Sequence, residues 1–196
     1  MIFLIVGRSG SGKDTVCSRV LNLTKSGLTN ISLHPIIAYT TRPMRTGEKN
    51  GKQYHFVDEN FLRQAENSGR LITLNSFNTF NGVWHYFNID DKWYSDNKNY
   101  IAVTNLKSAL DFKYYYGEER VRIIFLDVCE DALLQRAISR EKKSLKPDFK
   151  ELCRRFLADA EDYSAENIKK TDISIPNEDS SDTAINITRY IEKAIR

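Results

Sequence analysis

The sequence predicts an α/β fold in which a mainly parallel sheet is covered by helices, because strand-like apolar runs alternate with segments of helical periodicity. The chain of 196 residues begins with a continuous apolar run, Ile2–Val6, which is typical of a strand buried on both faces. Two further apolar runs, Tyr100–Thr104 and Val121–Val128, are also followed by segments with helical spacing. This length suits one domain with at most a small inserted subdomain.

The remaining elements follow from spacing and from turn signals. Two shorter runs predict strands, at Pro35–Thr40 and Asp172–Ile175. Apolar residues at helical spacing predict six helices: Asp14–Leu23, Asp58–Asn67, Leu106–Phe112, Glu130–Glu141, Phe149–Asn167 and Asp182–Ile195. Between residues 36 and 88, polar, glycine and aromatic residues interleave in short segments, which indicates an inserted subdomain. The basic stretch Lys142–Phe149 contains Pro147 and predicts a mobile loop.

Composition excludes several classes of protein. A net charge of +3 fits a small anionic ligand, and the sequence shows no basic stripe of the kind that nucleic-acid-binding proteins carry. Three widely spaced cysteines, Cys17, Cys129 and Cys153, form no metal-binding pair and predict reduced thiols in a cytoplasmic protein. The apolar N-terminal run lacks the features of a signal peptide, and no run is long enough to span a membrane. We therefore expect no nucleic-acid or membrane partner.

A glycine-rich motif after the first strand predicts a phosphate-binding loop. The motif G-x-x-x-x-G-K occupies Gly7–Lys13 and stands between a buried strand and a helix, which is the setting that such loops require. Glycines allow backbone N–H groups to turn toward an anion, and the helix N-terminus adds a favourable dipole. The residues predicted to bind ATP here are Gly7, Ser9, Gly10, Ser11, Gly12, Lys13, Asp14 and Thr15.

Asp14 stands where a serine or threonine ordinarily binds Mg²⁺ through its hydroxyl. Thr15 can supply that hydroxyl instead, or Asp14 can hold the metal through a water molecule. A third reading is that Asp14 only stabilises the positive end of the helix dipole. The sequence leaves these alternatives open.

A second motif, Thr40–Phe56, follows the second predicted strand and predicts a binding site for another phosphate. Arg42, Arg45 and Tyr54 can converge on one phosphate, since arginine offers a planar fork of donors and tyrosine adds a hydroxyl. Gly47 and Gly51 permit the turns that bring them together. The alternative for two isolated arginines is a solvated basic hairpin.

This second motif resembles the guanylate kinase signature T-T-R-x-x-R-x-G-E-x-x-G-x-x-Y-x-F, in the order and spacing of that family relative to the phosphate loop. The resemblance implies a P-loop NTPase three-layer fold, with a core at residues 1–35, 89–137 and 155–196. It also implies an acceptor-binding insertion at 36–88 and a mobile lid at 138–154. The activity it implies is Mg²⁺-dependent transfer of the γ-phosphoryl group of ATP to a nucleoside monophosphate, with GMP or dGMP as first candidates.

The resemblance also implies roles for individual residues. Arg42, Arg45 and Tyr54 match the positions that grip the acceptor phosphate, and Thr73 and Tyr86 fall near the acceptor base. Arg136, Arg140 and Arg155 resemble arginines of the lid and of the helices beside it, which would stabilise charge on the transferred group together with Lys13. Asn177 resembles a residue that lines the adenine of ATP. Surface charge is the alternative for each of these three arginines.

Several positions depart from the family pattern. Ala38 replaces a serine, Thr73 stands where a glutamate contacts guanine, and Thr104 or Asn105 falls where an aspartate is usual. Guanine specificity therefore does not follow from the sequence. The Gly-Lys-Asp of the phosphate loop also resembles ribose 1,5-bisphosphate phosphokinases, so this activity and other (deoxy)nucleoside monophosphates remain alternatives.

Two further alternatives belong to other functional classes. Non-catalytic guanylate-kinase-like binding modules have lost the phosphate loop, which Gly12 and Lys13 retain here. A P-loop switch protein would not need the second phosphate-binding motif. We expect small-molecule nucleotide substrates as partners and a monomer or homodimer.

Overall fold

A computed structural model of the chain describes residues 1–27, 29–79, 82–92, 94–144 and 147–196. In chain order, the strands are β1 (Ile2–Val6), β2 (Leu33–Pro35), β3 (Tyr39–Thr40), β4 (His55–Phe56), β5 (Leu71–Thr79), β6 (Gly82–Ile89), β7 (Asn99–Val103), β8 (Val121–Asp127) and β9 (Ile173–Pro176). The helices are α1 (Lys13–Lys25), α2 (Glu59–Asn67), α3 (Leu106–Tyr116), α4 (Glu130–Lys142), α5 (Phe149–Asp162), α6 (Ala165–Ile168) and α7 (Ser180–Ala194).

The core of the molecule is a five-stranded sheet in the order β2-β7-β1-β8-β9. Every neighbouring pair in it is parallel. This confirms the predicted α/β class with a mainly parallel sheet. Strand β1 lies at the centre and is fully buried, as its unbroken apolar run predicted.

Side chains of β1 alternate between two apolar clusters, one on each face of the core sheet. Phe3 and Ile5 pack with residues of α1 and α7, including Val16 and Ile187. On the opposite face, Ile2, Leu4 and Val6 pack with residues of α3. Helices therefore cover both faces of the sheet, which gives the molecule three layers.

A second, four-stranded sheet has the order β4-β3-β6-β5 and draws its strands from residues 39 to 89. Here β3 pairs parallel with β4, whereas the pairs β3–β6 and β5–β6 are antiparallel. Helix α2 packs on this sheet through Leu62 and Ala65. Asp58 caps α2 by accepting a hydrogen bond from the Phe61 N–H, as the sequence predicted.

Two element predictions are wrong. Pro35–Thr40 is not one strand: Pro35 ends β2 in the core sheet, and Tyr39 and Thr40 form β3 in the second sheet. Phe149–Asn167 is not one helix, because α5 ends at Asp162 and Ser164 caps a separate short helix, α6. The first break occurs where the chain passes from the core sheet to the second sheet, and the second occurs next to Tyr163, which packs into the core.

The structure also bears on the expectations about cysteines and membranes. Cys17, Cys129 and Cys153 are all free thiols, and Cys17 is buried. Across the described ranges, no helix combines the length and the apolar character that crossing a bilayer requires.

Candidate active site

The phosphate loop and a cavity beside β7 lie at the same edge of the core sheet. The loop follows β1, and β7 is the parallel neighbour of β1. Ala102, Val103 and Thr104, at the carboxyl end of β7, line the cavity. Ligands of open parallel sheets bind at this edge, outside the carboxyl ends of the strands.

The phosphate loop is a tight turn that ends at the N-terminus of α1. Gly10 and Gly12 have φ angles of 86° and 84°, a left-handed conformation that favours glycine. A Cβ atom on Gly12 would lie 2.9 Å from the Asn177 amide nitrogen, so space as well as conformation requires glycine there. Lys13 Nζ donates to the carbonyl oxygens of Gly7 at 2.7 Å and Arg8 at 2.9 Å. These bonds hold the ammonium group against the loop.

The charge of Lys13 is set by groups from three elements. Burial lowers the pKa of Lys13, and the carboxylates of Asp14 and Asp159 oppose that effect. Arg140 lowers the pKa of Lys13 further through its positive charge. The predicted lid residue Arg140 and the loop residue Lys13 are therefore close enough to interact electrostatically.

Asp159 of helix α5 and Tyr163, which follows that helix, accept hydrogen bonds from the backbone of the loop. Ser9 N–H donates to Asp159 Oδ2 at 2.5 Å, and Gly7 N–H donates to the Tyr163 hydroxyl at 3.2 Å. Tyr163 is buried and stacks on Phe125 of β8. These contacts could not be predicted from the sequence, because they join residues that are about 150 positions apart.

Arg136 and Asn177 close the other side of the loop. Arg136 donates to the carbonyl oxygens of Gly10 and Asn177, each at 3.4 Å. The Asn177 amide donates to the Ser11 carbonyl oxygen at 2.6 Å. Asn177 Oδ1 and Ser11 Oγ are buried, and neither has a hydrogen-bond partner among the described residues. The two orphaned atoms leave hydrogen-bonding capacity for a ligand at the loop.

A cavity of about 230 Å³ lies beside this side of the loop. Its lining consists of Gly10, Gly12, Thr15, Arg136, Asn177, Glu178 and Ser180. Four residues that were predicted to bind ATP, Gly10, Gly12, Thr15 and Asn177, therefore line one cavity.

Asp14 and Thr15 occupy different surroundings. Thr15 lines the cavity beside Asn177, whereas the Asp14 carboxylate acts on Lys13 and on Tyr54, whose pKa it helps to raise. Both side chains are exposed, and oxygen atoms are the ligands that Mg²⁺ prefers. Within the described ranges, no cluster of three or more metal-ligating side chains occurs. A site built from one carboxylate and substrate phosphates, the usual arrangement for Mg²⁺, fits these residues.

The second phosphate-binding motif is organised around Arg42, which is only 3% exposed. Both terminal nitrogens of Arg42 donate to Glu48, at 3.0 and 2.8 Å. Glu48 also accepts from the Arg45 backbone N–H at 2.7 Å. This pairing raises the pKa of Arg42 and lowers the pKa of Glu48, so both stay charged. The Arg45 side chain is exposed.

Aromatic rings surround the guanidinium of Arg42. Its central carbon lies 5.7 Å from the centre of the Tyr54 ring and 5.4 Å from that of Phe56. Tyr54 also packs edge-on against Tyr86. Burial raises the pKa of Tyr54, so its hydroxyl stays protonated and able to donate. Arg42, Tyr54 and Tyr86 thus form one cluster, whereas the exposed side chain of Arg45, the third residue of the predicted phosphate site, is not part of it.

The cavity beside β7 has a volume of about 220 Å³ and continues from Tyr54 and Tyr86. Ala38 lines it, but Thr73 does not: Thr73 is buried, and its hydroxyl accepts from the backbone and side-chain nitrogens of Asn88. Polar groups that the sequence reasoning did not assign to a ligand also line the cavity, namely Asn75, Asn88 and Ser108. Strand alternation around Thr73 could have indicated Asn75, since the two lie on the same face of β5.

Arg155 lies apart from the loop in this conformation. Its guanidinium pairs with Glu141 of α4 and Glu151 of α5, each at 3.6 Å. Glu141 also accepts from the Asp148 backbone N–H at 2.7 Å. These contacts tie the two ends of the predicted lid together. Residues 145 and 146 of that segment lie outside the described residues.

Comparisons with known proteins agree with this geometry. A family profile described as guanylate kinase matches residues 2–82. The guanylate kinase of Helicobacter hepaticus is 30% identical over 147 residues, which cover 74% of this chain and 69% of that protein. The guanylate kinase of Anaplasma phagocytophilum is 28% identical over 192 residues, covering 97% of this chain and 85% of the relative. The chain belongs to the guanylate kinase family.

A crystal structure of the Anaplasma phagocytophilum guanylate kinase superimposes with a TM-score of 0.61 at 26% identity, and covers 98% of this chain and 85% of that one. The likeness therefore extends beyond the first 82 residues, through the helices that carry Arg136, Arg140 and Arg155. As a guanylate kinase family member, the chain is a nucleoside monophosphate kinase, and it keeps the phosphate loop that the binding modules of this fold have lost.

Proposed function

We propose that the chain transfers the γ-phosphoryl group of ATP to a nucleoside monophosphate, with GMP and dGMP as the first candidates. The observation that carries this proposal is that two clusters suited to phosphate, one around Lys13 and one around Arg42, lie close together: Asp14 acts electrostatically both on Lys13 and on Tyr54, the ring beside Arg42. An oxygen of the acceptor phosphate attacks the γ-phosphorus, and the bond from that phosphorus to the β-bridging oxygen breaks. The products are ADP and a nucleoside diphosphate.

Each cluster has a distinct task in this proposal. The backbone N–H groups of Gly10–Lys13 and the Lys13 ammonium hold the β- and γ-phosphates of ATP. Arg42, Arg45 and Tyr54 hold the acceptor phosphate in line with them. Since phosphoryl transfer depends on positioning and charge stabilisation, no strong general base is required.

The arginines of α4 and α5 stabilise the negative charge of the transferred group. Arg136 already contacts the loop, and Arg140 acts electrostatically on Lys13. Arg155 must leave Glu141 and Glu151 to take part, so its role depends on movement of residues 138–154 as a lid.

Asp14 is the residue that we assign to Mg²⁺, in preference to Thr15. Its carboxylate acts electrostatically on Lys13 and on Tyr54, one residue from each cluster, whereas Thr15 lines the cavity beside Asn177. The ion, when bound, neutralises charge on the ATP phosphates. The same cavity, with Asn177, accommodates the adenosine part of ATP.

The cavity beside β7 supports a nucleotide acceptor over ribose 1,5-bisphosphate. It is lined by side-chain amides and by Tyr54 and Tyr86, and it begins at the acceptor-phosphate cluster. Its volume is about 220 Å³. A nucleobase fills such a space and pairs with its polar groups, whereas a sugar bisphosphate has no base to place there.

The division of the chain follows from the same assignment. We place the acceptor-binding insertion at residues 36–88, around the second sheet, and the core at 1–35, 89–137 and 155–196. In this proposal the protein works in the cytoplasm on small nucleotides, as a monomer or homodimer.

A coupled assay of ADP production tests the function, with GMP, dGMP, AMP, CMP, UMP, dTMP and ribose 1,5-bisphosphate as acceptors. We expect a nucleoside monophosphate to be phosphorylated, and Lys13→Ala to reduce turnover by at least about a thousandfold. Lys25→Ala, at the exposed end of the same helix, is the matched control and should keep full activity. Failure of every acceptor, or normal turnover by Lys13→Ala, would overturn the proposal.

A further inference from the structure

Three side chains, one from β5 and two from the start of α3, form a hydrogen-bonded cluster on the wall of the cavity beside β7. Asn105 Nδ2 donates to Asn75 Oδ1 at 3.1 Å, and Asn75 Nδ2 donates to Ser108 Oγ at 2.8 Å. Asn105 Oδ1 in turn accepts from the Ser108 backbone N–H at 2.8 Å and caps α3. The cluster therefore fixes the orientation of the Asn75 amide.

Asn75 keeps hydrogen-bonding capacity after these contacts. A side-chain amide carries two N–H donors and two acceptor positions on its oxygen. Among the described residues, Asn75 gives one donor to Ser108 and one acceptor position to Asn105. One donor and one acceptor position remain, and Asn75 lines both this cavity and an open pocket beside it.

The described residues that line the cavity carry no carboxylate. The absence of a carboxylate from this lining affects which base can bind. A carboxylate only accepts hydrogen bonds, and it binds favourably to a base edge that presents two adjacent N–H donors. A neutral amide instead matches an edge with one acceptor beside one donor. A 6-oxopurine offers that edge, in its carbonyl oxygen and the neighbouring ring N–H.

We propose that Asn75 is a specificity-determining residue for the acceptor base, and that its neutral amide recognises the 6-oxopurine edge without requiring a 2-amino group. The inference rests on the proposed function and refines its substrate class: 6-oxopurine nucleoside monophosphates with the amino group, such as GMP, or without it, such as IMP. The 2-amino group is a third position on that edge, which the one free acceptor of Asn75 does not serve once it has bound the ring N–H.

Competing acceptors test this inference with the unaltered protein. We expect kcat/KM for GMP and IMP to differ by no more than about tenfold, the effect of about one neutral hydrogen bond. A preference for GMP above about a hundredfold would overturn the inference and leave the proposed function intact. If neither GMP nor IMP is phosphorylated by the folded protein, the proposed function itself fails.

The variant Asn75→Asp tests the role of the residue. Its carboxylate keeps both contacts of the cluster, because Asn105 Nδ2 still donates to one oxygen and the Ser108 hydroxyl can turn to donate to the other. We expect the ratio of kcat/KM for GMP over IMP to rise by about tenfold or more, since a carboxylate accepts from both N–H groups of guanine. An unchanged ratio would overturn the assignment to Asn75.

Asn78→Asp is the matched control. Asn78 is an exposed residue of the same strand, and it lies outside the lining of the cavity. It introduces the same charge, so we expect it to leave the GMP-to-IMP ratio unchanged. An equal rise in both variants would assign the effect to charge in general and overturn the inference.

Discussion

At the scale of single residues, the pairing of Arg42 with Glu48 keeps a buried guanidinium charged and fixes its orientation, so that it can bind a phosphate in the proposed function. Glu48 takes both terminal nitrogens of Arg42 and the backbone N–H of Arg45, so one carboxylate organises both arginines of the motif. Without that partner, the buried positive charge of Arg42 would strongly destabilise the folded protein. If Arg42 and Arg45 hold the acceptor phosphate as proposed, Glu48 is the residue that positions them.

The variant Glu48→Gln should raise KM for the acceptor by roughly tenfold or more, because a neutral amide holds the Arg42 fork less firmly than a carboxylate. KM for ATP should change little, since the phosphate loop makes no contact with Glu48 in the described structure. Initial rates with each substrate varied in turn measure both constants. Glu66→Gln, on the exposed side of α2, is the control, and equal acceptor KM values in all three proteins would contradict this role.

Asp14 leads to a second prediction at this scale. Asp14→Asn should raise the Mg²⁺ concentration required for half-maximal ATP binding by about tenfold, because an amide is a weaker ligand than a carboxylate for a hard cation. Calorimetric titration of ATP at several Mg²⁺ concentrations measures this. Thr15→Val tests the alternative ligand. A larger Mg²⁺ requirement in Thr15→Val than in Asp14→Asn would reverse our assignment.

At the scale of elements, strands and helices with an unbroken apolar pattern could be predicted from the sequence. The two points at which a predicted element is divided, within Pro35–Thr40 and within Phe149–Asn167, could not. The run Ile2–Val6 and the capped helix α2 follow from their own residues. The division of Pro35–Thr40 does not, because Tyr39 leaves the core sheet to stack against Phe61 and Phe87, which are distant in sequence. Tertiary packing therefore overrides a locally strand-like sequence.

The end of α5 has a similar cause. The helical pattern runs on through Tyr163, but that side chain turns inward to stack on Phe125 and to accept from the Gly7 N–H. Ser164 then caps α6. The serine was a visible signal for a new N-terminus, whereas the buried contact of Tyr163 with the phosphate loop left no local signal.

The variant Tyr163→Phe should lower the free energy of unfolding by about 1–3 kcal/mol, because it leaves the buried Gly7 N–H without its acceptor. It should also weaken ATP binding, since this bond supports the phosphate loop. Chemical denaturation and calorimetry measure the two effects. Tyr114→Phe is the control, because the Tyr114 side chain is 94% exposed. Unchanged stability in Tyr163→Phe would show that the bond contributes nothing.

At the scale of the whole molecule, the α/β fold could be predicted from the sequence, whereas the cavity beside β7 could not. Gly7–Lys13 and Thr40–Phe56 are contiguous motifs, so the sequence itself, together with the family resemblance, predicts a phosphate-binding role for each. The cavity beside β7 is instead lined by residues that are far apart in sequence: Ala38 before β3, Asn75 in β5 and Asn105 at the start of α3. The spacing of these residues in the sequence does not show that they line one cavity.

The molecule as a whole should lose stability in alkaline solution. Burial is the first cause of a raised pKa at seven tyrosines among the described residues: Tyr39, Tyr54, Tyr94, Tyr115, Tyr116, Tyr163 and Tyr190. Burial also raises the pKa of the Cys17 thiol to about 12. Unfolded tyrosines ionise near pH 10 and unfolded cysteines near pH 8.5, so above these values the unfolded state binds fewer protons than the folded state. The free energy of unfolding therefore falls as pH rises.

We expect Tm to be nearly constant from about pH 7 to pH 8 and to fall steeply from about pH 10 to pH 12. Tyr163 allows one group to be separated from the rest, because burial raises its pKa to about 12. Its contribution is lost at about 1.4 kcal/mol per pH unit between the unfolded and folded pKa values. The stability difference between the unaltered protein and Tyr163→Phe should therefore shrink over this interval, and Tyr114→Phe, which alters an exposed side chain, is the control for the loss of a hydroxyl. A gap to Tyr163→Phe that is as wide at pH 11 as at pH 8 would mean that the folded protein does not suppress the ionisation of Tyr163.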